Sequence, residues 1–140
     1  MFRSILIDDF MTTNLATATR EMDLLALVDL LLRRGISGTP VVDQSGHLVG
    51  MVSEHDCLES ILVGTYQGDV GGSVSDVMTS EVETIQIGTS IVEAAHQMVT
   101  SGRRRLPVVD SENRLVGQIS RSDLLRAVRA YEIPEEEPSH

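Results

Sequence analysis

Two short frames hold the residues best suited to chemistry. Gly50-x-x-Ser53-x-x-Asp56 recurs as Gly117-x-x-Ser120-x-x-Asp123. A carboxylate at the start of a helix can accept two hydroxyl donors at once, as a ribose diol presents them. The free N–H groups of the same helix N-terminus can receive an anion. Gly50 and Gly117 would let a ligand approach the backbone closely. The same spacing also reads as a helix cap. The Ser hydroxyl accepts from a first-turn N–H, and the Asp complements the helix dipole. The two readings are compatible, since Ser can cap while Asp binds.

The segments that lead toward these frames differ in charge. The first reads Gly35-Ile36-Ser37-Gly38-Thr39; the second reads Gly102-Arg103-Arg104-Arg105-Leu106. Arg recognises phosphate through a planar fork of donors. The second frame is therefore the favoured place for an anionic ligand, and the first is weaker. The alternative is that the Arg run only complements a helix C-terminus and solvent. Glu54-His55-Asp56-Cys57 is not expected to hold a metal, because its counterpart Arg121-Ser122-Asp123-Leu124 keeps only the Asp and neighbouring helix positions face different ways; a metal-dependent enzyme using His55, Asp56 and Cys57 stands as an alternative reading. No nucleophile–base–orienter set and no P-loop occurs, so no catalytic residue and no required cofactor is expected.

The elements that position these residues are also duplicated. Residues 9–58 fall on 76–125 without a gap; Pro40-Val41-Val42-Asp43 returns as Pro107-Val108-Val109-Asp110. Leu24 to Leu32 reads as a helix buried on most sides, with Asp23 as N-cap and Gly35 as stop. Its counterpart opens on the capping-box pattern Ser90-Ile91-Val92-Glu93 and ends at Gly102. Short β-favouring stretches precede each helix, around Thr17 and Thr84. A strand, turn and strand follow. Gly46 and Asn113 occupy the same turn position, and both residue types tolerate a positive φ. Closing helices are expected at about 54–62 and 121–131. Each copy is thus β-α-β-β-α, an α/β (α+β) fold. The expected domains are 9–64 and 76–131, with a Gly-rich linker at 65–75 and an acidic disordered tail at 132–140.

Composition narrows the function further. The formal net charge of -10 argues against nucleic-acid binding. The 3% aromatic content and 41% hydrophobic content imply an aliphatic core. The single Cys57 fits a reducing compartment, and the short apolar run at the N-terminus is neither signal peptide nor membrane span. A cytoplasmic protein with no membrane contact is expected.

The ordered set of a Met-Thr pair, Gly-x-x-x-x-Pro-Val-Val-Asp and Gly-x-x-Ser-x-x-Asp, present twice in register, resembles a tandem pair of CBS domains (cystathionine-β-synthase-type domains, a Bateman module). The resemblance spans about Phe10 to Tyr131. It implies two repeats packed about a pseudo-twofold axis, with candidate clefts for adenosine-containing ligands. By resemblance, Asp123 and Asp56 bind ribose hydroxyls, and Ser120 and Ser53 lie near ribose or phosphate. By the same resemblance, residues just before the Pro of each repeat contact adenine or phosphate. These are Arg103, Arg104, Arg105 and Leu106 with Pro107 at the second site, and Ile36, Ser37, Gly38 and Thr39 with Pro40 at the first. Thr84 and Thr17 line the respective clefts. The expected function is a stand-alone, non-catalytic regulatory pair binding AMP, ADP or ATP in the cleft between the repeats, with S-adenosylmethionine as a further ligand, and signalling by conformational or oligomeric change. A homodimer and an unidentified regulated protein are the expected partners. The alternative is a ligand-free structural or adaptor dimerisation module.

Overall fold

The computed structural model describes residues 2–68 and 71–132. Residues 133–140, which hold nearly all of the acidic tail, lie outside it. Among the described residues no helix is long and apolar enough to cross a membrane.

The first copy contains helix α1 (Leu24–Arg34), strands β1 (Gly38–Val42) and β2 (Leu48–Ser53), and helix α2 (Glu54–Gln67). A short helix α3 (Val74–Val77) opens the second copy, followed by β3 (Ile85–Gln86), α4 (Ile91–Ser101), β4 (Arg105–Val109), β5 (Leu115–Ser120) and α5 (Arg121–Glu132). The expected order of elements is present in the second copy. In the first copy the leading strand shrinks to a single parallel bridge, Ala18 with Val41. That bridge matches the parallel pairing of Ile85 with Val108 between β3 and β4.

Local chemistry sets the element ends. Asp23 accepts from the N–H groups of Leu25 and Ala26, and Gly35 stops α1 at φ +62°. Ser90 accepts from the Glu93 N–H at the start of α4. The hairpin turns place Gly46 at φ +84° and Asn113 at φ +63°, the left-handed conformation expected from their residue types. Helix α2 runs well past 62. Gly64 stays helical and buried, and Gly68 at φ +75° ends the helix instead. The buried Gly64 offers a close-packing surface rather than a stop. Helix α1 is also less enclosed than its sequence suggests. It buries Leu24, Leu27 and Leu31, while Leu25 and Leu32 remain exposed.

Two compact units form, and each takes the opening segment of the other copy. In one unit, residues 2–15 join 83–111 and 116–132. Ile5 and Ile7 enter its core beside Ile85, Met98, Val108 and Ile119. In the other unit, the described residues of 16–82 join Glu112–Leu115. Val74 of α3 enters its core beside Leu24, Leu27, Val41 and Val52. Backbone pairing fixes these docked segments: Thr12 bridges Gln118 in one unit and Thr79 bridges Met51 in the other.

The frame glycines explain the fit. A Cβ on Gly117 would lie 2.8 Å from the Met11 sulfur and 2.9 Å from the Thr12 carbonyl oxygen. A Cβ on Gly50 would lie 2.8 Å from both the Met78 sulfur and the Thr79 carbonyl oxygen. These glycines admit the Met-Thr segments of the protein itself, where the sequence suggested room for a ligand.

Candidate functional site

In each unit the segment before the first hairpin strand is pinned to the closing helix. The Glu54 N–H donates to the Ser37 carbonyl at 2.8 Å, and the Arg121 N–H donates to the Arg104 carbonyl at 2.9 Å. The helix-start frame and the preceding loop therefore meet, as a composite site requires. Ser53 is both the end of β2 and the N-cap of α2. The strand directs its backbone and the helix takes its side chain.

Both frames form reciprocal caps. Asp56 Oδ2 accepts from the Ser53 N–H at 2.8 Å and from its hydroxyl at 2.9 Å, while Ser53 Oγ accepts from the Asp56 N–H at 3.2 Å. Asp123 Oδ2 accepts from the Ser120 N–H at 2.8 Å, and Ser120 Oγ accepts from the Asp123 N–H at 3.2 Å. The capping reading of the sequence is thus realised twice. Each cap occupies Oδ2 of its carboxylate.

The two carboxylates then diverge. Asp123 is only 4% exposed, and its Oδ1 accepts from Arg126 Nη2 one turn along α5. Asp56 is half-buried, and the position equivalent to Arg126 is Glu59. Arg126 is the residue that the sequence reading passes over. Its i,i+3 spacing from Asp123 on one helix is the signal that marks it.

Around Asp123, the Arg121 side chain Nε donates to the Arg103 carbonyl at 3.0 Å. Arg103 lies 3.5 Å from Glu83 Oε1. Gln97 fixes that carboxylate from the other side, donating at 3.0 Å to Glu83 and at 2.9 Å to the Thr84 carbonyl. The Gln97 amide, with lesser help from Arg103, holds the Glu83 carboxyl below its ordinary range. Arg104 and Arg105 are exposed and make no ion pair among the described residues. The second-copy residues Thr84, Arg103, Arg104, Arg105, Ser120 and Asp123 all belong to one unit. Leu106 and Pro107 belong to it as well, but both are buried.

The first-copy residues gather in the other unit. Thr17 and Ser37 are exposed, and Ile36 and Gly38 are half-buried. Thr39 is fully buried; its hydroxyl donates to the Ala16 carbonyl at 2.7 Å. Pro40 is enclosed beside it. The Thr39 side chain therefore holds the strand to the segment before Ala18 and does not face outward. A cavity of about 360 Å³ runs along α2 from Asp56 and Glu59 to Gln67, bounded by Asp76 and Val77 of α3. In the unit of Asp123 a cavity of about 370 Å³ lies at the start of α4, by Ser90, Glu93 and His96, and shares no residue with the frame.

The Glu54-His55-Asp56-Cys57 run does not converge. His55 points to Glu59 at 3.9 Å, and Cys57 is buried. Burial, followed by the Asp56 and Glu54 charges, pushes the Cys57 thiol up. That disfavours the thiolate needed for nucleophilic attack or metal ligation.

The CBS-domain profile matches residues 7–63 and 74–130. The chain belongs to the CBS-domain family. An uncharacterized protein of Methanocaldococcus jannaschii is 30% identical over 138 residues, covering 77% of this chain and 82% of that protein. A second uncharacterized protein of the same organism is 30% identical over 118 residues; the match covers 84% of this chain but spans only 41% of that relative's length. The crystal structure of CBSX2 in complex with AMP is 28% identical, with a TM-score of 0.79, covering 91% of this chain and 98% of that one. The chloroplastic CBS domain-containing protein CBSX2 is from Arabidopsis thaliana, and this chain spans 62% of its full length.

Proposed function

We propose that this CBS pair is a regulatory module that binds an adenine nucleotide, with the site around Asp123 taking the anionic ligand. The observation that carries the reading is the pinning of the Arg103–Arg104–Arg105 loop to the N-terminus of α5, where Asp123 is held by its cap. Asp123 supplies an acceptor for ribose hydroxyls. Arg104 and Arg105 supply donors for phosphate, and the α5 N-terminus adds its dipole. The AMP bound to CBSX2, a relative with the same fold, supports an adenine nucleotide over other anions. AMP, ADP and ATP all present this chemistry, and S-adenosylmethionine shares the adenosyl part alone.

Arg126 gives the site a means of response. A ribose hydroxyl donating to Asp123 Oδ1 competes with the Arg126 guanidinium for that oxygen. Binding would therefore release an exposed cation on α5, and a partner surface could read the change. A ligand shifts such an equilibrium only through its different affinity for the two arrangements. In this proposal the protein is a homodimer. Exposed apolar side chains on α2 and α5, among them Leu58, Leu62, Tyr66 and Leu125, motivate it. The single, buried Cys57 suits the reducing cytoplasm.

Calorimetry with AMP, ADP and ATP on the parent and on Asp123→Asn tests the site. The parent should bind at least one of them, and the variant should bind it more weakly. At ligand concentrations near 100 times Kd the parent should gain about 2.7 kcal/mol of stability. Equal binding by the variant would refute the ribose assignment. Binding by neither would leave the protein an adaptor whose frames are caps alone.

A further inference from the structure

Glu83, Gln97 and Arg103, around the arginine loop, have no polar counterparts in the first copy. They stand where that copy has Ala16, Leu30 and Ile36. Together they form one connected brace. Gln97 of α4 donates at 3.0 Å to Glu83 Oε2 and at 2.9 Å to the Thr84 carbonyl, just ahead of β3. Glu83 Oε1 lies 3.5 Å from Arg103 Nε. The bond to the Thr84 carbonyl alone would serve folding, as the bond from the Thr39 hydroxyl to the Ala16 carbonyl serves the first copy. The Glu83 carboxylate is the added part. It ties the segment before β3 to the segment after α4. From the other side Arg121 holds the same loop, its Nε donating to the Arg103 carbonyl at 3.0 Å and its N–H to the Arg104 carbonyl at 2.9 Å. Arg103 is thus fastened through both its side chain and its carbonyl.

We infer that Glu83 and Gln97 are positioning residues that hold the arginine loop ready for a phosphate, so that the site selects phosphate-bearing adenine nucleotides over phosphate-free adenosyl ligands. This rests on the nucleotide site proposed above and names its ligand class. A loop fixed before binding loses less freedom when the ligand arrives, so the donors it carries give more affinity. Arg103 belongs to the brace. Arg104 and Arg105 follow it, exposed and without an ion pair among the described residues. Phosphate oxygens accept from such planar guanidinium forks, and adenosine offers the loop no comparable acceptor.

Calorimetry with AMP and with adenosine on the full chain reads the brace. Gln97→Leu and Glu83→Ala install the first copy's residues. Each should weaken AMP binding about fivefold and change adenosine binding by less than about twofold. A fall in the ratio of AMP to adenosine affinity is a readout that a merely structural role would not move. Glu83→Ala carries the decisive sign. Removing a carboxylate beside an anion site strengthens AMP binding by charge alone, so weaker binding reports lost positioning. The double variant should lose little more than the larger single loss, since both substitutions break one brace. Circular dichroism melts check that each variant is folded. Tighter AMP binding by Glu83→Ala would overturn the inference and make Glu83 a competitor for Arg103. Unchanged AMP binding, or equal losses for AMP and adenosine, would overturn it as well while leaving the nucleotide site standing. A parent that binds neither ligand would overturn the site itself, and the inference with it.

Discussion

Replacing Arg126 with Ala should move stability and ligand affinity in opposite directions. Arg126 Nη2 donates to Asp123 Oδ1. The Arg side chain is 54% exposed while the Asp side chain is 5% exposed. Exposed ion pairs contribute about 0.2–1 kcal/mol, and one enclosed partner puts this pair near the upper end, at about 1 kcal/mol. Arg126→Ala should therefore lower the folding stability by about that amount, a drop of roughly 2–5 °C in melting temperature. If a ribose hydroxyl uses the same oxygen, the lost competitor is returned to the ligand. Adenosine should then bind about fivefold tighter, the equivalent of about 1 kcal/mol. AMP should gain less, because the released guanidinium is itself a candidate phosphate donor. The ratio of adenosine to AMP affinity, from calorimetry on parent and variant, separates these effects. Weaker adenosine binding by a folded Arg126→Ala protein would refute the competition and place the ribose elsewhere.

Ser120→Ala removes the acceptor for the Asp123 N–H and should cost about 1 kcal/mol in urea unfolding, with little change in m. Gly117→Ala forces a Cβ against the Thr12 carbonyl oxygen, a backbone atom that cannot swing away, and should cost about 1–3 kcal/mol in the same measurement. Asn113→Ala loses both a tolerated positive φ and the 3.0 Å bond from its amide to the Leu48 carbonyl, and should cost about 1–2 kcal/mol. On the acid side, the His47 N–H, then the Ser45 N–H and the His47 ring, hold the Asp43 carboxyl below its ordinary 3.8. Glu83 is held below 4.5. Depressed carboxyls stabilise the fold above their ordinary values and lose that contribution as pH falls through the folded ones. The melting temperature should therefore hold down to about pH 4.5 and fall below it, less steeply in the Asp43→Asn and Glu83→Gln variants.

The features legible in the sequence are those decided by one residue and its near neighbours. Gly46 and Asn113 mark hairpin turns because few other residues take a positive φ there. Asp23 and Ser90 mark helix starts because their side chains reach N–H groups two or three residues on. What escaped the reading depends on distant segments. Nothing local to Gly50 or Gly117 says that a Met-Thr segment packs over it. Thr39 looks like a ligand residue until Ala16 is found taking its hydroxyl. The expected end of the closing helix near 62 is overrun, because Gly64 is enclosed on α2 and Gly68 ends the helix. The exchange of opening segments between the copies is a long-range choice, set by which core Ile5, Ile7 and Val74 enter.

Duplication supplies the sharpest argument about function. Both copies keep the cap, the pinned loop, the turn geometry and the glycine that admits the Met-Thr segment, so the scaffold is held in common. What differs is charge at fixed places on that scaffold. Arg103, Arg104, Arg105, Arg121 and Arg126 stand where the first copy has Ile36, Ser37, Gly38, Glu54 and Glu59. Three of the five have partners within the unit: Arg103 faces Glu83, Arg121 donates to the Arg103 carbonyl, and Arg126 donates to Asp123; Arg104 and Arg105 are the two that local structure leaves over. The uncharged and acidic version also builds the hairpin, the reciprocal cap and the pinned loop. Arg104 and Arg105 are exposed and make no ion pair among the described residues, which suits them to a phosphate in the site proposed beside Asp123. Arg126 donates to the proposed ribose anchor and neighbours the exposed Leu125 of α5. If nucleotide and partner draw on that one guanidinium, AMP should change the dimer dissociation constant of the parent. The same titration on Arg126→Ala should show no such change. Sedimentation with and without AMP decides it, and an equal response in both proteins would mean that Arg126 does not couple nucleotide to partner.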